Sequence, residues 1–141
     1  MQGTADVTTV AHVIQLAVAP VFLLTGVGAI LNVITNRLSR IVDRFRVLSN
    51  SSGQQQTGQK EEKVMLTRRA RWVHWAVSLC TISALLICIV IAALFVGSET
   101  GMDPSQAVSL LFISAMMALI FGLLCFLREI FLATGNLGAR K

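Results

Sequence analysis

The sequence contains few of the residues that a soluble surface or a catalytic site requires. Among its 141 residues there are no tyrosines, two prolines and two histidines, and charged residues make up only 13 % of the chain. Soluble domains carry about 25 % charged residues. Hydrophobic residues instead account for 55 % of the chain, and the mean hydropathy is +0.73. This composition excludes an ordinary soluble domain and predicts an integral membrane protein.

The same scarcity argues against an enzyme, a metal centre or a bound cofactor. No Asp or Glu lies within the three long apolar runs described below, and the expected topology places His12 and His74 on opposite sides of the membrane. Cys80, Cys88 and Cys125 lack CxxC spacing and lie in apolar surroundings, as cysteines do when they serve as small apolar residues. We therefore predict no catalytic residues, no metal site and no cofactor.

Three apolar runs predict the architecture. They cover residues 10–34, 72–96 and 107–127, and each exceeds the ~20 residues that a helix needs to cross the hydrocarbon core. Little chain remains to form a separate soluble core. We predict an all-α fold in which residues 1–141 form one membrane domain with three transmembrane helices.

The basic residues predict the orientation of these helices. Nine of the twelve Lys and Arg residues lie between Arg37 and Arg71, and the other three are Arg128, Arg140 and Lys141. The N-terminal segment and the loop between the second and third runs contain none. The positive-inside rule therefore places the N-terminus outside, and the C-terminus and the segment between the first two runs in the cytoplasm.

Two features describe the cytoplasmic segment. Residues 49–59, SNSSGQQQTGQ, are polar and contain glycine, which predicts a flexible linker. The net charge of +5 suits the anionic surface of a lipid bilayer and does not require a nucleic-acid partner. The basic cluster on either side of the linker consists of Arg37, Arg40, Arg44, Arg46, Arg68, Arg69 and Arg71.

The first helix is expected to continue beyond the membrane. Its apolar side persists past Arg37 and includes Leu38, Ile41, Phe45 and Leu48, and an apolar face outside the bilayer has to be covered by protein. The nearest candidate is the segment 64–66, which precedes the second run. We therefore predict that the first and second helices extend into a cytoplasmic helical hairpin.

The opposite side of the first helix is small and polar. At 100° per residue, one stripe collects Thr25, Gly28, Asn32, Thr35, Asn36, Ser39 and Asp43. One interpretation is close helix packing through small residues, a spacing that recurs at Ser114, Ala118 and Gly122 in the third run. The other is a water-facing surface between identical subunits, in which Asn32 and Asn36 form neutral rings and Asp43 a charged ring at the inner mouth. The two interpretations are compatible.

The TNRLSR motif, residues 35–40, follows a glycine-containing first span and precedes a polar linker and two further spans. This layout resembles a family of small bacterial inner-membrane proteins of unknown function, the domain-of-unknown-function 2721 type. The resemblance rests on Thr35, Asn36, Arg37 and the basic helix after them. It implies a three-span protein of the bacterial inner membrane and transfers no site residues, because the family has no established activity.

Two hypotheses for function remain. In the first, four or five copies of the chain surround a passive ion channel lined by the first helix, because three helices alone cannot enclose a pore. Asp43 favours cations, whereas Arg37, Arg40 and Arg44 favour anions; we expect a preference for cations. In the second, the spans anchor an interaction or regulatory module, the cytoplasmic hairpin, without transport activity.

Overall fold

A computed structural model describes residues 2–51 and 56–138 of the chain. The described residues form three helices: α1 (Gln2–Asn50), α2 (Gln56–Thr100) and α3 (Ser105–Gly138). All three are long and apolar enough to cross a membrane. The all-helical, three-span architecture expected from hydropathy is confirmed.

Both α1 and α2 are much longer than a membrane crossing requires. At 1.5 Å per residue, the 49 residues of α1 extend over roughly 70 Å, whereas the hydrocarbon core is ~30 Å thick. The helices also extend into the predicted linker, where residues 49, 50 and 56–59 are helical and residue 51 is a turn. Of the residues in this extension, only the glutamines are good helix formers, and the extension continues the helices on either side. Residues 52–55 of that linker lie outside the described part of the chain.

The second helix is the centre of the subunit, because both α1 and α3 pack on it, whereas α1 and α3 scarcely touch each other. Buried residues recur along the helices at intervals of seven. They are Val27, Ile34 and Ile41 on α1, and Leu66, Val73, Cys80 and Ile87 on α2. A seven-residue repeat keeps one side of each helix against its neighbour, as in left-handed helix pairs.

The antiparallel pairing of α2 and α3 follows the same repeat. Arg69 pairs with Glu129 next to the hairpin of α1 and α2. Seven residues further along each helix, Ala76 lies beside Gly122. After seven more, the Ser83 hydroxyl donates a hydrogen bond to the carbonyl of Ala115 at 2.8 Å. A Cβ on Gly122 would lie only 2.9 Å from the Sγ of Cys80 and 3.3 Å from the Cβ of Leu79. The close approach of the two helices therefore depends on a glycine at this position.

The hairpin predicted beyond the first span is present, formed by the end of α1 and the start of α2. Ile41 and Leu66 are buried in one apolar cluster, and Leu38 and Leu48 pack against it. Phe45, in contrast, is 39 % exposed. The prediction that the hairpin covers Phe45 is therefore not met, and the ring lies largely outside this cluster.

The turn between α2 and α3 is short and has a defined geometry. Gly101 adopts a positive φ of 66° just after α2 ends, a conformation that glycine tolerates without strain. The Asp103 carboxylate accepts a hydrogen bond from the Ser105 backbone N–H at 3.1 Å. This contact is an N-cap of α3, with Pro104 directly after the capping residue.

Candidate functional site

Three charged residues, one from each helix, meet at the end of the bundle from which the hairpin of α1 and α2 extends. The Glu129 side chain of α3 is completely buried. Its Oε2 accepts a hydrogen bond from Nη1 of Arg37 on α1 at 3.0 Å, and its Oε1 accepts one from Nη2 of Arg69 on α2 at 2.8 Å. We call Arg37, Glu129 and Arg69 the charged triad. It is the most direct link between α1 and α3, which otherwise scarcely touch.

The surroundings of the triad are partly apolar. The Arg37 guanidinium lies over the ring of Phe126, 5.6 Å from its centroid, a favourable cation–π geometry. The Arg37 and Arg69 side chains are 42 % and 29 % exposed, whereas Glu129 is fully enclosed. Nε of Arg69 is buried and has no hydrogen-bond partner among the described residues. Two guanidinium charges on one carboxylate leave the triad with a net charge of +1.

The sequence analysis missed Glu129 as a site residue. It lies two residues beyond the third predicted span, in a helix that the structure continues to Gly138. A signal was nevertheless present, because Glu129 is the only acidic residue between 105 and 138 and Phe126, Leu127, Ile130 and Phe131 flank it. A carboxylate in such surroundings has to find a cationic partner.

The stripe on α1 faces away from the rest of the subunit. All seven of its residues are exposed, namely Thr25, Gly28, Asn32, Thr35, Asn36, Ser39 and Asp43. A Cβ on Gly28 would meet nothing within 4 Å. The opposite side of α1, in contrast, is buried at Val27 and Ile34 against the core. Small residues in the stripe therefore do not serve packing within the subunit.

Polar groups of the stripe are partly satisfied within α1 itself. The Thr25 hydroxyl donates to the carbonyl of Val21, and the Ser39 hydroxyl donates to the carbonyl of Thr35. The amide of Asn36 reaches the Asn32 side-chain oxygen at 3.5 Å. These two hydroxyls can face lipid, another helix or water without a large desolvation penalty. The Asn32 and Asn36 amides share only one long hydrogen bond, so that contact with lipid would be unfavourable for them.

The predicted basic cluster does not act as one surface. Arg37 and Arg69 belong to the charged triad, and Arg44 pairs with Glu62 across the hairpin at 3.2 Å. Arg40, Arg46, Arg68 and Arg71 remain exposed. In the described ranges 2–51 and 56–138, no ion pair involves Asp43, and no group of three or more His, Cys, Asp or Glu residues is arranged to hold a metal ion.

The fold and the site define a small helical membrane protein with three spans and a helical hairpin beyond the first two. A charged triad around the buried Glu129 joins all three helices. Residues 17–139 match the family model described as protein of unknown function (DUF2721), and the chain belongs to this family. The resemblance that the layout of the sequence indicated is thus confirmed. No curated protein and no solved structure matches the chain.

Proposed function

We propose that the protein assembles into a homo-oligomer of four or five subunits in the bacterial inner membrane and that the α1 stripes line a passive pathway for small ions. The observation that carries this proposal is the exposure of the whole stripe from Thr25 to Asp43, on the side of α1 opposite to its buried core contacts. A continuous polar stripe facing lipid is unfavourable, whereas a symmetric ring of stripes covers it.

The ion pairs support a preference for cations. Arg37 and Arg44, two of the three arginines that would favour anions, are partly neutralised by Glu129 and Glu62. Asp43 is exposed at the inner part of the stripe and takes part in none of the ion pairs found in the described residues. In a ring of subunits, the Asp43 carboxylates would attract cations to the inner mouth.

The test is conduction by the purified protein in planar bilayers under a salt gradient. We expect a current with a cation-selective reversal potential, and Asp43→Asn should move that potential towards zero. Asn32→Leu should reduce conductance severalfold, because it replaces a polar ring with an apolar constriction. The matched controls are Glu61→Gln, an exposed carboxylate on α2, and Val33→Leu, an exposed apolar residue beside the stripe; both should leave the current unchanged.

A membrane-anchored interaction or regulatory module is the second candidate. The observation that favours it is the hairpin of α1 and α2, which extends beyond the membrane and exposes Val47, Val64 and Met65 as well as basic residues. Absence of current under variation of calcium, pH and voltage, together with Asn32 packed against a neighbouring helix in the oligomer, would reject the channel and favour this function.

A further inference from the structure

Three arginines and two tryptophans share a surface of the α2–α3 pair that does not include the stripe on α1. Arg68, Arg71, Trp72 and Trp75 are spaced by three and four residues and therefore share one face of α2. Arg128 joins them from α3, because its guanidinium lies over the Trp72 ring, 5.8 Å from the centroid. We call these five residues the basic-aromatic face.

Within residues 2–51 and 56–138, no ion pair compensates the charges of this face. The ion pairs of the described residues employ Arg37, Arg44 and Arg69, and none of them includes Arg68, Arg71 or Arg128. Three guanidinium groups thus belong to this face, and none of them has a carboxylate partner in the described residues. An anion that binds to the face would offset the repulsion among these charges.

The position of the face along the helices indicates which anion fits. Arg68 and Arg71 adjoin Arg69 of the charged triad at the inner end of the bundle, and Trp75, 57 % exposed, begins the apolar part of α2. Indole rings prefer the boundary between headgroups and hydrocarbon. Ile82 and Ile89 continue the same side of α2 in steps of seven residues and are also exposed. Cations, indoles and an apolar strip therefore follow one another in the order of a phospholipid's headgroup, interface and acyl chain.

We propose that the basic-aromatic face binds an anionic phospholipid, with the guanidinium groups of Arg68, Arg71 and Arg128 around its phosphate and the acyl chains along Ile82 and Ile89. Guanidinium groups bind phosphate oxygens through paired hydrogen bonds. The proposal does not depend on conduction, because the face lies on α2 and α3 and the stripe lies on α1.

The two tryptophans of the chain both belong to this face, so that intrinsic fluorescence reports on the site directly. The protein is reconstituted into phosphatidylcholine vesicles that contain one brominated lipid. This lipid is either phosphatidylglycerol or phosphatidylcholine, and in both cases its acyl chains are brominated near the headgroup. Bromine quenches a nearby indole, and the ratio of quenching by the two brominated lipids measures the preference for the anionic one. We expect stronger quenching by brominated phosphatidylglycerol.

Substitutions test which residues create the preference. Arg68→Gln and Arg128→Gln should each lower the relative affinity for phosphatidylglycerol about fivefold, the effect of one cation near an anionic surface. Arg40→Gln and Arg46→Gln remove the same charge from exposed positions on α1 and should leave the preference intact. Arg68 has no ion pair within the described residues, so that its loss does not disturb a structural contact.

Three outcomes would overturn the proposal. The first is equal quenching of the unsubstituted protein by the two brominated lipids. The second is an equal loss of preference in the α1 controls, which would indicate a general effect of charge. The third is relief of quenching by inorganic phosphate beyond the relief by chloride at the same ionic strength, which would identify a site for the free anion.

Discussion

Glu129 is the residue whose loss should have the greatest effect on the subunit. Its carboxylate is fully buried and accepts hydrogen bonds from guanidinium groups of two other helices. Removal of one member of a buried ion pair leaves an uncompensated charge and destabilises a protein strongly. Here the loss would leave two guanidinium groups facing each other.

Glu129→Gln should therefore lower the free energy of unfolding by about 1.5–3 kcal/mol, because the two arginines left without a carboxylate are only partly buried. The measurement is thermal or denaturant unfolding of the purified protein in detergent. The variant keeps the size of the side chain and removes only the charge. Glu62→Gln is the control, because the exposed pair with Arg44 contributes at most about 1 kcal/mol. Equal stabilities of the two variants would contradict a structural role for the triad.

Helical periodicity groups the stripe residues on one face of α1, but it does not indicate which cations form ion pairs. Helical periodicity places Asn32 and Asn36 on the side opposite to Val27 and Ile34, and the structure has this arrangement. The pairing of Arg37 with Glu129 joins residues 92 positions apart. No local spacing indicates such a pair, because it forms only when α1 and α3 lie at a particular level beside α2.

At the scale of the helices, glycine has opposite roles on α1 and α3. Gly122 lies where α3 touches α2, and any larger side chain would meet Cys80 and Leu79. Gly28 on α1 faces open space. Small residues on a membrane helix therefore mark close packing in one case and an uncovered surface in the other, although the sequence pattern is similar.

This difference predicts distinct consequences for two matched substitutions. Gly122→Leu should lower the free energy of unfolding by about 1–3 kcal/mol, because overpacking forces α2 and α3 apart. Gly28→Leu should leave unfolding unchanged and should shift the protein towards smaller assemblies, seen by size-exclusion chromatography with light scattering in mild detergent. A monomer that is unaffected by Gly28→Leu would exclude assembly through the stripe.

For the whole molecule, orientation in the membrane is the property on which both proposals depend. The N-terminal segment and the α2–α3 turn contain no Lys or Arg, whereas nine of the twelve lie between Arg37 and Arg71. The resulting orientation, with the N-terminus outside, is a prediction from the positive-inside rule. It would place the charged triad and the basic-aromatic face at the cytoplasmic boundary.

Labelling of introduced cysteines in intact cells checks this orientation. Cysteine at Gly3 or Ser98 should react with an impermeant maleimide, and cysteine at Ser51 should react only after the cells are opened. The chain without an introduced cysteine is the control, because Cys80, Cys88 and Cys125 all lie within predicted spans. Labelling at Ser51 in intact cells would reverse the orientation, and the basic-aromatic face would then lie at the outer leaflet.

The sequence alone determined the class of the protein, its three spans and the hairpin beyond the first of them. These properties follow from hydropathy and helical periodicity, which are local and can be read along the chain. The tertiary structure decided which charges are paired and that Glu129 is buried. It also decided that Gly122 is covered by α2, whereas the stripe on α1 is not covered within the subunit. The physical reason is that these properties depend on the level at which three long helices pack against each other, and that level results from contacts between residues far apart in the chain.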